Sequence, residues 1–133
     1  IAVKEAGGSV DRVSAIRSAC DITVLSGDDS LTLPMMSLGG KGVISVASNV
    51  IPAEVTQMTH AALAGDWDGA REMHFRLYPL FRDLFVETNP IPVKAALAML
   101  GKIAEEYRLP MCAMSEVSRA ALLASMRAVG ISV

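Results

Sequence analysis

Short apolar runs separated by amphipathic stretches occupy the first third of the chain, and from Pro52 onward only helical stripes remain. Residues 1–4, 22–25 and 43–46 are brief, mostly apolar and rich in β-branched side chains, without alternating polar positions. Runs of that kind predict parallel strands covered on both faces. Between the first two runs, Ser9 stands where a helix cap belongs, and Val10, Val13, Ile16 and Cys20 follow at helical spacing. A second helix is expected to begin near Asp29, its cap, and to stop at Gly39-Gly40. After Pro52, Val55, Met58, Ala62 and Leu63 make one stripe; Ala70, Met73, Leu77, Leu80, Phe81 and Leu84 make another. Pro79 lies within the second stripe and predicts a kink. Asn89 is expected to cap a helix starting at Pro90, and a last helix is predicted over 115–129.

The predicted order is three βα units, the last helix beginning near Pro52, followed by an all-helical tail. Right-handed crossovers put three such strands side by side in one parallel sheet. Three strands cannot close a barrel, since a (β/α)8 barrel takes eight strands and roughly 250 residues. A buried-type strand at the first residue, with no initiator Met, reads as a cut inside a larger fold. The expected class is therefore α/β: the last three βα units of a TIM barrel over residues 1–65, then a helical C-terminal domain over 66–133. About five strands would lie upstream.

Composition narrows the function. Of 133 residues, 52% are hydrophobic and 20% charged, so the chain is globular rather than disordered. The formal charge of -2 is scattered, and without a basic patch neither nucleic acid nor an anionic membrane is an expected partner. Apolar stretches fall short of the roughly 18 residues of a membrane helix, which predicts a soluble protein. Cys20 and Cys112 stand far apart with no C-x-x-C pair, which argues against a disulfide or zinc site and for a reducing cytoplasm. No stretch reads as a signal peptide. His60 and His74 read as surface or boundary residues, and the eight Met residues mostly as core filler.

Three segments follow the three strands, where barrel enzymes carry their sites: Lys4-Glu5-Ala6-Gly7-Gly8, Ser26-Gly27-Asp28-Asp29 and Ser45-Val46-Ala47-Ser48-Asn49. Read alone, Lys4 is a solvated strand end, and Gly27 a plain turn. Asp28 and Asp29 lack a third ligand at metal spacing, so no metal is expected. Gly39-Gly40-Lys41-Gly42 precedes a strand rather than following one and is not a phosphate loop. Ile44 reads as core, and Asn49 as a cap or loop-ordering residue. Asn89-Pro90-Ile91-Pro92-Val93-Lys94 reads as a helix start, with no catalytic part for Lys94.

Taken together and in order, V-K-E-A-x-G, L-S-G-D-D, G-G-x-G-V-I-S-V-x-x-N and N-P-I-P-V-K resemble the corresponding segments of dihydrodipicolinate synthases, from Ile1 to about Gly101 and more weakly beyond. The resemblance implies a class I aldolase with no cofactor, whose Schiff-base lysine is Lys4. Such an amine must be unprotonated to attack a ketone, and a lysine with an ordinary pKa of ~10.4 is activated by burial. It further implies that Gly27 and Asp28 border the second substrate, and that the Ile44 backbone carbonyl faces bound pyruvate. The partners implied are pyruvate, L-aspartate 4-semialdehyde, the missing N-terminal barrel segment and a homotetramer built as a dimer of dimers. The segments around Val10 and Leu38 are where its weaker contact is expected. The family's tyrosine and threonine proton carriers and its substrate-binding arginine lie upstream of the lysine, so residues 1–133 alone are expected to be inactive. N-acetylneuraminate lyase and keto-deoxy-sugar acid aldolases share the lysine and the barrel and are the rival enzymes. A non-catalytic assembly module is the rival of another class.

Overall fold

The first two apolar runs pair in parallel. In the computed structural model, which describes residues 1–133, β1 (Ala2–Glu5) lies beside β2 (Thr23–Ser26), matching Ala2 with Thr23 and Glu5 with Ser26. The chain divides into two units, Ile1–His74 and Phe75–Val133.

In the first unit, α1 (Val10–Ala19) links β1 to β2. Successive strand side chains point to opposite faces. Val24 is buried with Val13 of α1 and Met35 of α2 (Thr32–Ser37), and Val3, Val10, Ile16 and Leu31 pack around them. Ala2, Lys4 and Thr23, on the other face, are exposed. In residues 1–133, then, helices cover one face of the pair and the other is open. A four-residue strand places only two side chains on each face, so its apolar composition does not reveal how many faces are packed.

The third predicted strand is also corrected. Residues 43–46 contribute a single parallel bridge, Ser26 to Val43, framed by hydrogen bonds from Ser26 N to Gly42 O and from Ile44 N to Ser26 O, both 2.8 Å. The next amides are diverted: Val46 N and Ala47 N donate to the Asp29 carboxylate, and a 3-10 turn follows at Ala47–Asn49. Asp29 is therefore not a helix cap. The cap position of α2 is Leu31. Ser9 does hold the cap position of α1, but its hydroxyl makes no capping bond. Cys20, at the far end of that helix, is exposed rather than on its buried face.

Pro52 opens α3 (Pro52–Leu63), as a first-turn proline can, and Val55, Met58 and Ala62 are buried. Leu63, expected in the same stripe, is half exposed in the last turn. α4 (Trp67–Asp83) contains Pro79 and carries buried Ala70 in the first unit.

In the second unit, Leu77, Leu80, Phe81 and Leu84 are buried, with Ile91, Val93, Ala95 and Ala96 of α5 (Ile91–Met99) and Leu122 and Met126 of α6 (Glu116–Ala128). Pro90, not Asn89, occupies the cap position of α5. The Ser115 hydroxyl accepts from Ser118 N and donates to Glu87 at 2.8 Å, fixing the start of α6. The intervening segment is held by Arg119 on Glu105 at 2.8 Å and by Lys94, which donates to Glu106 O and lies 5.3 Å from the Tyr107 ring centroid. Lys94 therefore has a structural part. No helix is long and apolar enough to cross a membrane.

Met35→Ala removes a fully buried side chain from the small core beneath the sheet. It is expected to destabilise the protein by about 2–5 kcal/mol, read as a lower urea midpoint.

Candidate active site at the strand ends

Lys4 lies opposite Leu25 in the parallel register, so its side chain leaves the sheet on the open face. The chain behind it is bent back by Glu5. This carboxylate is only 4% exposed and accepts from Gly7 N at 2.7 Å and from Arg12 Nε at 3.0 Å. Those two donors, the Gly7 amide first, hold the Glu5 carboxyl below its usual range. Glu5 O in turn accepts from Gly27 N at 2.7 Å, locking the first loop to the second.

Gly27 is where the two loops meet. A Cβ built there would lie 2.4 Å from Ala6 Cβ and 2.8 Å from Lys4 Cε. Both separations are below any real contact, so a side chain at 27 displaces either the lysine or the loop beneath it. Asp28, half-buried, is fixed through its backbone: Asp28 O accepts from Ser26 Oγ at 2.7 Å and from Thr32 Oγ1 at 2.9 Å.

Ile44 joins this edge through its amide on Ser26 O. Its side chain is 47% exposed, which corrects the reading of Ile44 as core. Beyond it, Ser45 Oγ, Val46 N and Ala47 N all donate to Asp29, whose carboxylate is 2% exposed. Burial raises the Asp29 pKa above its ordinary value, while these donors pull it back down. Asn49 Nδ2 donates to Val46 O at 2.9 Å, a loop-ordering contact. Gly39, at φ +93°, and Gly40 follow α2, and Lys41 N bonds Val24 O, so this glycine run ends a helix and aligns the edge. A groove of about 310 Å³ flanks that edge, lined in part by Leu25, Val43, Ser45, Thr59 and His60. No group of three or more His, Cys, Asp or Glu side chains is disposed to hold a metal ion.

The structure thus brings Lys4 and Gly27 together and aligns Ile44 and Asp28 along the same row of strand ends. Sequence reasoning missed Glu5, Arg12, Ser45 and the true part of Asp29. An acid ending a strand seven residues before an arginine was a legible signal for the Glu5–Arg12 pair. Asp29 carried none, because its partners lie 16 to 18 residues later.

Parallel strands joined by helices, with the polar loops gathered at the strand ends, define a protein of βα units whose candidate site lies at those loops. The dihydrodipicolinate synthetase family model matches residues 1–129, and the chain belongs to that family. It is 56% identical over 115 residues to the 4-hydroxy-tetrahydrodipicolinate synthase of Methanocaldococcus jannaschii, covering 86% of this chain and 40% of that protein. The synthase structure from Methylacidiphilum fumariolicum SolV is 47% identical with a TM-score of 0.96, over 97% of this chain and 44% of that one. The synthase from Acinetobacter baumannii, solved in complex with pyruvate, is 36% identical with a TM-score of 0.93, over 99% and 46%. The chain therefore spans less than half the length of these relatives.

Glu5 has a depressed pKa in the folded state, so the stability it contributes is present above its unfolded value near 4.5 and is lost as pH falls through the lower folded value. Asp29 acts in the opposite sense, since its raised pKa makes the folded state bind a proton more readily. Wild type is expected to be more stable than Glu5→Gln at neutral pH, and the gap to narrow progressively as pH falls below about 4.5, read by denaturant unfolding across pH.

Proposed function

We propose that this chain is the lysine-bearing part of a 4-hydroxy-tetrahydrodipicolinate synthase acting in lysine and diaminopimelate biosynthesis in the cytoplasm. In that reading residues 1–65 are the last three βα units of a (β/α)8 barrel and 66–133 its helical C-terminal domain. The observation that carries it is the fit of the Lys4 side chain against Gly27, at the head of a parallel sheet in a chain of this family.

The open face that carries Lys4 is then the inward face of the barrel, and the groove beside residues 43–45 receives the next strand. Cover on that face gives the amine the dry surroundings a nucleophilic lysine needs. The Lys4 amine adds to the pyruvate ketone and water leaves, giving an imine. Loss of a methyl proton turns the imine into an enamine. Its carbon attacks the aldehyde of L-aspartate 4-semialdehyde, and cyclisation releases the product and frees Lys4. The Ile44 carbonyl faces the pyruvate, while Gly27 and Asp28 border the second substrate. The proton carriers and the carboxylate-binding arginine come from the upstream segment, and the working assembly is a homotetramer.

Borohydride treatment of the complete polypeptide with pyruvate is expected to leave a reduced adduct on Lys4, located by peptide mass spectrometry. Lys4→Ala should abolish the adduct and lower kcat/KM at least about a thousandfold, roughly 4 kcal/mol of barrier. An unmodified Lys4 would sink the proposal and favour a non-catalytic assembly role. Gly27→Ala is expected to cut the same kcat/KM by about a hundredfold, as a 1 Å misplacement can, in a protein that still folds.

A further inference from the structure

We propose that Asp29 is the positioning residue of the site, its carboxylate holding the backbone after Ile44 against the loop after β2. This inference rests on the reading of Lys4 and Ile44 given above.

The three donors on Asp29 come from consecutive residues. Ser45 Oγ reaches one oxygen, and Val46 N and Ala47 N reach the other at 3.1 and 3.0 Å. Ser45 Oγ also accepts from Ser48 N at 2.8 Å, so one hydroxyl ties the carboxylate to the following 3-10 turn. On the near side, Ile44 N donates to Ser26 O. Ser26 Oγ donates to Asp28 O and accepts from Asp28 N at 3.1 Å. The result is a closed circuit from Ser26 through Ile44 and Ser45 to Asp29, and back along the chain to Ser26. Ile44 lies inside this circuit, bonded on one side and tethered on the other.

The chemistry favours a positioning task over the alternatives. Asp29 caps no helix, and three donors already occupy its oxygens. A carboxylate taken out of water is costly unless donors replace the lost hydration. Here they do, and all come from the segment that includes and follows the residue presenting its carbonyl to the keto acid. An asparagine at 29 would keep one oxygen for the two amides but turn its N–H toward Ser45 Oγ, so that bond must reverse and the charge that strengthens all three is lost. A flexible Ile44–Ala47 segment weakens keto-acid binding before it affects the amine that forms the imine.

The test uses the complete enzyme and begins with borohydride trapping on wild type. Ser45→Ala removes one of the three donors and is expected to raise the KM for pyruvate about tenfold, the worth of one hydrogen bond to a charged group, with little change in kcat. Ser45→Thr, which keeps the hydroxyl, should restore the wild-type KM. Asp29→Asn should raise the KM further, yet still give the Lys4 adduct at saturating pyruvate. If Asp29→Asn does not fold, the Ser45 pair decides alone. A lower melting temperature with an unchanged pyruvate KM in Ser45→Ala would overturn the positioning role while leaving the aldolase reading intact. Failure of wild type to form any adduct would overturn both.

Discussion

Four parallel residue pairs, Ala2 with Thr23 through Glu5 with Ser26, determine which side chains meet helices and which meet the open face. Because the side-chain period is two, the pairing sends Val3, Glu5, Val24 and Ser26 one way and Ala2, Lys4, Thr23 and Leu25 the other. A slip of one residue would turn Lys4 into the helix layer and Glu5 out of it. Two features oppose the slip. Val24 fills the space between Val13 and Met35, and Glu5 has its donors, Gly7 N and Arg12, on the helix side only. Apolar packing and a half-exposed ion pair with a buried carboxylate thus agree on one register, and the position of the lysine follows from it.

Two carboxylates sit under this row of loops, and both use their burial for geometry. Glu5 bends the loop after β1 and has a cationic partner, Arg12. Asp29 spans from the second loop to the third and is held by a hydroxyl and two amides. Opposite pKa directions follow from that difference. With the Gly7 amide and the Arg12 guanidinium at hand, the charged form of Glu5 is favoured; around Asp29, burial outweighs its donors. Neither residue needs to touch a substrate to matter, since each fixes backbone that the proposed chemistry uses.

The helices, the two paired strands and the grouping of candidate residues at strand ends were legible because they depend on local period and on short motifs. Val13, Val24, Val55, Met58 and Leu80 are buried as residues in such runs and stripes should be. What was not legible depends on contacts made at a distance. The third run, 43–46, has strand composition, yet after the Ile44 amide meets β2 the next ones, Val46 N and Ala47 N, turn to Asp29. Asp29 looked like a cap because caps are usually local. Ile44 looked like core because isoleucine after a glycine run normally is, whereas its exposure follows from the uncovered face. Lys4, read from spacing alone, is a solvated strand end; family motifs, not periodicity, singled it out.

The open face links the fold to the proposed chemistry. A sheet of two strands with one bridge leaves polar edge groups and apolar side chains such as Ile44 uncovered. Such an edge invites pairing with further strands. A nucleophilic amine makes the same demand for a different reason, since water stabilises the ammonium form that cannot attack a ketone. Completing the sheet into a barrel would answer both demands at once: it satisfies the edge at residues 43–45 and encloses the row formed by Lys4, Gly27 and Ile44. The loops here are held by contacts of Glu5, Gly27 and Asp29, all supplied by this chain. Closure would then have to provide shelter and proton carriers but not alignment.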